Sequence, residues 1–179
     1  MGKQDGEDRG MILCEERQPL SAEGFRKFAR GYWYLTMTKQ TKHAIAFVIW
    51  NASRDKVLAV QRPSNDEDLP DVWGLPAGSL RAAETFDECV VRSGKEKLGV
   101  DLRIIRTIAA GEIERTAFTL YMKEYEVEIV QGEPSVPQPV EGITQYQRWQ
   151  WAEPALLKEA AQKGSLCSRL FLSSRKINN

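Results

Sequence analysis

Four residues of this chain combine the types and spacing that phosphate chemistry needs: Glu84, Glu88, Arg92 and Glu96. The last three recur every fourth residue, so on a helix they share one face, and Glu84 stands at the entrance of that helix. Carboxylates braced by an arginine beside a glycine-containing loop can position metal-bound phosphate oxygens. The same spacing also describes a solvated face with ordinary ion pairs, and spacing alone leaves both readings open.

The elements that must position these side chains are a turn and a helix. Gly74, Pro76 and Gly78 punctuate the chain into a loop. Thr85 is a good N-cap, and Glu88 three residues later completes a capping box. Phe86, Cys89, Val90 and Leu98 supply an apolar stripe at roughly helical spacing, and Gly99 ends the helix. A helix over residues 85–98 is therefore expected, with one internal flaw: Gly94 costs about 1 kcal/mol relative to alanine.

From Gly78 to Val100 the stretch resembles the Nudix box, the loop–helix signature of Nudix hydrolases. That box runs Gly, five residues, Glu, seven residues, then Arg-Glu-apolar-x-Glu-Glu-x-Gly-apolar. Gly78, Glu84, Arg92, Glu96, Gly99 and Val100 fall in register with it, and the lead-in from Leu69 to Gly78 resembles the family's approach loop. Ser93, Gly94 and Lys97 stand where the pattern has glutamate, an apolar residue and glutamate. The resemblance extends over residues 42–160 and implies an α/β fold, a Nudix-type α/β/α sandwich built on a mixed β-sheet.

It also implies hydrolysis of a diphosphate linkage in a nucleoside diphosphate derivative, with Mg2+ or Mn2+ as the cofactor. The ion would neutralise the anionic oxygens and activate a bound water. On this reading Glu96, Arg92 and Glu84 are catalytic, and Glu96, Glu84 and the Ala77 carbonyl are metal ligands, with Glu112, Glu114 or Glu141 available to complete the set. Arg62 and Gly78 are the substrate-side residues. Ser93 and Lys97 make the expected metal site atypical and weak. The alternative is a catalytically impaired Nudix-fold module that binds nucleotides or regulates. A third reading is isomerase or other chemistry on the same scaffold, because fold does not fix function.

The 179 residues, 42% apolar and 28% charged, suit one soluble domain with a flexible arm, 1–18 ahead of 19–179. A formal net charge of zero gives no global case for a nucleic acid polymer or a membrane surface. A small-molecule partner is expected, and a homodimer is compatible with the sequence. Cys14, Cys89 and Cys167 are odd in number and far apart, as reduced thiols of a cytoplasmic protein would be. No apolar run fits a signal peptide or a membrane span. The single histidine, His43, excludes a multi-histidine zinc site and suits a surface or strand-edge position.

Along the chain, Ser21 caps a short helix through Arg30, and the aromatics Tyr32, Trp33 and Tyr34 either pack or line a pocket. Ala44–Trp50 reads as a buried strand and Lys56–Gln61 as its return. Arg62–Asp68 is a polar loop whose arginine either meets phosphate or closes a solvated turn. Leu102–Ile108 and Ala117–Val130 read as strands linked through Ala110–Arg115. In the second, Tyr121, Tyr125, Val127 and Ile129 share a face opposite Glu124, Glu126 and Glu128. A proline-containing loop follows at 132–142, then a strand over Thr144–Trp151. A helix starting at Glu153–Pro154 and a final one capped by Ser165 close the chain.

Overall fold

The computed structural model describes residues 39–66, 68–136 and 146–177, all within the unit Lys39–Asn179. The expected N-terminal arm, the Ser21 helix, the aromatics at 32–34, Cys14 and Glu141 lie outside the described residues.

Strand β1 (Gln40–Ile49) is central. Its apolar run is buried from Ala44 onward because both of its faces are covered. It pairs in parallel with β6 (Phe118–Gln131) and antiparallel with the short β4 (Ala77–Ser79). The edge strand β5 (Asp101–Glu114) pairs antiparallel with β6, giving a mixed sheet in the order β4-β1-β6-β5. A second, antiparallel sheet has β2 (Val57–Gln61) between β3 (Trp73–Gly74) and β7 (Arg148–Ala152).

Successive β1 side chains point to opposite faces of the sheet. Ile45, Phe47 and Ile49 pack with Cys89, Val90 and Leu98 of helix α1 (Phe86–Leu98). Ala44, Ala46 and Val48 pack with Leu157 and with Leu166, Cys167 and Phe171 of the last helix, α3 (Leu166–Ile177). Between β7 and α3 run a 3-10 turn (Pro154–Leu157) and the short α2 (Lys158–Gln162). The α/β/α sandwich expected from the sequence is thus the observed one.

Several local expectations are corrected. The stretch read as a plain loop before α1 contains β3 and β4, which exist only because β2 and β1 lie beside them. Ala110–Arg115 is not a link: β5 continues through Glu114 in register with β6. Gly111 marks close packing there rather than a turn, since a Cβ on it would come 2.9 Å from Leu170 Cδ2. The helix expected from Glu153–Pro154 begins as the 3-10 turn, and β7 starts at Arg148. The glutamate face of β6 is covered as well, with Glu124 fully buried and Glu126 5% exposed. His43 is exposed on β1, with its ring edge-on to Phe86 and Tyr121.

Helix α1 forms where its caps dictate. Thr85 Oγ accepts from the Glu88 N–H at 3.2 Å, and Glu88 Oε2 accepts from the Thr85 N–H at 2.9 Å. Gly99, at φ 70°, takes the left-handed cap. Gly94 has a packing reason: a Cβ there would lie 2.5 Å from Leu102 Cδ1.

Candidate functional site

Of the sequence-predicted residues, Ala77, Gly78, Glu84, Arg92 and Glu96 meet at the junction of β4 and α1. Arg92 Nε donates to Glu84 Oε1 at 2.5 Å, and Nη2 donates to Glu84 Oε2 at 2.8 Å. Nη1 reaches Glu96 Oε2 at 2.9 Å, and Nη2 also donates to the Ser79 carbonyl at 2.9 Å. One guanidinium thereby ties the loop, the helix entrance and the next turn together, a task suited to its planar fork. Arg81, which sequence reasoning passed over, adds its backbone N–H to Glu84 at 2.8 Å and its guanidinium to Glu96 at 3.0 Å. It stands in the loop three residues after Gly78, with no spacing signal to mark it.

Electrostatics follow the bonding. The Arg92 guanidinium holds the Glu84 carboxyl down at about 2, and the Glu84 carboxylate in turn raises Arg92. The Thr85 N–H lowers Glu88, which serves the cap rather than the site.

Gly78 is buried in β4 opposite Ile45. A Cβ at this position would lie 2.1 Å from Ser93 Oγ, so the absence of a side chain is what lets α1 close onto the strand. Ser93 is fully buried against it. Ala77 is bonded at both backbone groups by one side chain: the Tyr146 hydroxyl accepts from the Ala77 N–H at 2.9 Å and donates to its carbonyl at 3.2 Å. Lys97, one helical turn beyond Ser93 on the same face, brings its amine 5.3 Å from the Tyr146 ring centroid. Arg62 lies apart from this cluster in its bonding, donating to both oxygens of Asp66 at 3.0 and 2.9 Å. Glu114 pairs with Lys39, and Glu112 is exposed opposite Tyr121.

A family model described as the NUDIX domain matches residues 40–170. The chain belongs to the Nudix family. Nudix hydrolases are in general pyrophosphohydrolases that use divalent ions. Among solved structures, the Nudix fold here is similar to the MutT protein from Methanosarcina mazei Go1, with 16% identity, 80% of this chain and 99% of that one covered, and a TM-score of 0.59. It is similar to a MutT Nudix hydrolase from Burkholderia pseudomallei at 21% identity, covering 65% and 85%, with a TM-score of 0.55. A UDP-X diphosphatase matches at 13% identity, covering 73% and 60%, with a TM-score of 0.52. These likenesses establish the fold. No curated protein matches the sequence.

The divalent ion that the Nudix fold implies can be tested against the donors present. Magnesium selects several oxygen donors carrying negative charge. Both Glu84 oxygens and both Glu96 oxygens are already met by arginine groups. The Ala77 carbonyl accepts from Tyr146. Ser93 brings no charge and Lys97 brings the wrong one. Among the described residues, no group of three or more His, Cys, Asp or Glu side chains could hold a metal ion. Among the described residues this donor set offers a divalent ion no carboxylate free of arginine and no surplus of negative charge, which is a poor fit to a resident divalent ion.

Proposed function

We propose that this Nudix protein is a catalytically impaired module that recognises a small diphosphate-linked ligand, a nucleoside diphosphate derivative. The observation that carries this reading is the commitment of both candidate ligating carboxylates, Glu84 and Glu96, to arginines, with a lysine, Lys97, where the resemblance has glutamate. Diphosphate hydrolysis needs charge neutralised on the oxygens and a nucleophile generated near neutral pH, tasks a divalent ion performs. Arginines already neutralised by carboxylates do neither. The ligand class is the one the family resemblance implies, and the structurally similar UDP-X diphosphatase is named for such a compound. A small ligand, not a nucleic acid polymer, also accords with the zero net charge.

The runner-up is a slow Mg2+- or Mn2+-dependent hydrolase, favoured by the intact Gly78, Glu84, Arg92 and Glu96 brace. One experiment separates the two. A panel of nucleoside diphosphate sugars and dinucleotides is screened for thermal stabilisation, and each is incubated with magnesium or manganese while products are resolved by chromatography. The expected result is stabilisation by some members, with turnover no different in Glu96→Gln. Metal-dependent turnover that Glu96→Gln abolishes establishes the hydrolase instead. If no member of the panel stabilises the protein or is turned over, both readings fail.

A further inference from the structure

Lys97 is half-buried on α1, and among the described residues its amine pairs with no carboxylate. Its neighbour is the Tyr146 ring, whose negative face attracts a cation. Tyr146 is itself fixed, because its hydroxyl closes on both backbone groups of Ala77. The ammonium therefore sits over a ring that is itself fastened to β4.

Glu84, Glu88 and Glu96 at the β4–α1 junction are matched in number by Arg81, Arg92 and Lys97, and Glu84 and Glu96 are held by the two arginines. A site built for a divalent cation needs a surplus of negative charge. This one has none, and among the described residues the Lys97 ammonium is left without a carboxylate, which suits an anion held directly.

We infer that the Lys97 ammonium, backed by the Tyr146 ring, binds a diphosphate oxygen of the ligand itself and so takes the electrostatic place of a divalent ion. The inference rests on the diphosphate-binding reading above and deepens it. Binding then needs no metal, and a chelator leaves it intact. Lysine acts as a compact point charge with several donors, so it can serve one phosphate oxygen without the geometry a forked guanidinium demands.

The probe is inorganic pyrophosphate, titrated calorimetrically at low ionic strength with EDTA present. The natural chain should bind it. Lys97→Gln should weaken binding about tenfold or more, as expected for losing a charge-assisted hydrogen bond, while Lys97→Arg retains most of it. Thermal unfolding of each variant reports whether the fold is intact, and among the described residues Lys97 makes no hydrogen bond whose loss would unfold α1. Binding that appears only when magnesium replaces EDTA overturns the inference, as does equal affinity in Lys97→Gln, or no binding by the natural chain. Pyrophosphate lacks a nucleoside, so its result is independent of the panel above. Lys97-dependent pyrophosphate binding with no response to any nucleoside compound sinks the function and leaves this contact standing.

Discussion

Arg92 grips Glu84 through two parallel hydrogen bonds, at 2.5 and 2.8 Å, with the side chains only 19% and 11% exposed. A pair this sheltered is costly to break from one side, because the partner is left charged and poorly solvated. Arg92→Ala should therefore lower stability by about 2–3 kcal/mol. Arg92→Lys should recover only part of that, since an ammonium cannot bond both oxygens and the Ser79 carbonyl in one plane. Denaturant unfolding checks both, and an unchanged midpoint in Arg92→Ala shows that the brace carries no stability.

The same pair has an acid signature. The Arg92 bond depresses the Glu84 carboxyl to about 2 in the fold, from the ordinary 4.5. A depressed folded value means the unfolded chain binds the proton first. The stabilisation is complete above pH 4.5 and disappears as pH falls through 2. Glu84→Gln should flatten the loss of thermal stability between pH 4.5 and 2, and an unaltered acid profile in that variant contradicts the assignment.

Glu124 has the opposite signature. It lies on β6 between Ala46 of β1 and Ala109 of β5, and neither carboxyl oxygen has a hydrogen-bond partner among the described residues. Burial pushes its carboxyl up to about 8. A raised folded value means full stability below pH 4.5 and a progressive loss as pH rises through 8. The natural chain should thus lose melting temperature progressively between pH 4.5 and 8, and Glu124→Gln should remove most of that loss. The thiol of Cys167 on α3 is also pushed up by burial, and the nearby Glu124 charge adds to this, so Cys167→Ala serves as the control for the alkaline end.

At Gly78 the expected effect is steric. Gly78→Ala places a methyl group 2.1 Å from Ser93 Oγ and should cost about 1–3 kcal/mol as overpacking. Ser93→Ala removes the hydroxyl, so the double variant should recover part of the loss. Additive effects in a double-mutant cycle contradict direct contact between the two positions.

The signature helix was legible in the sequence because its determinants are local: Thr85 and Glu88 box one end and Gly99 caps the other. The Arg92–Glu96 pair was legible for the same reason, as helical spacing places the two together, whereas Glu84 lies before the helix and meets Arg92 where the loop after Ser79 folds back onto it. What escaped the sequence is what distant segments decide. Strands β3 and β4 span two and three residues and depend on their neighbours. The glutamate face of β6 alternates as a solvated face does, and only the packing of α3 on the other side of the sheet makes Glu124 a core residue. The Tyr146–Ala77 bonds join residues 69 apart in the chain, and no periodicity reports such a meeting. Without Tyr146, the direction of the Lys97 amine could not be read either.

Magnesium titration of the unliganded protein tests the account most directly. Isothermal calorimetry on the natural chain should show no saturable binding below the millimolar range, because Glu84 and Glu96 are committed to arginines and Lys97 opposes a dication. Lys97→Glu should introduce measurable binding by restoring a charged oxygen donor and removing the opposing cation. Tight, saturable magnesium binding by the natural chain that Glu96→Gln abolishes would contradict the account.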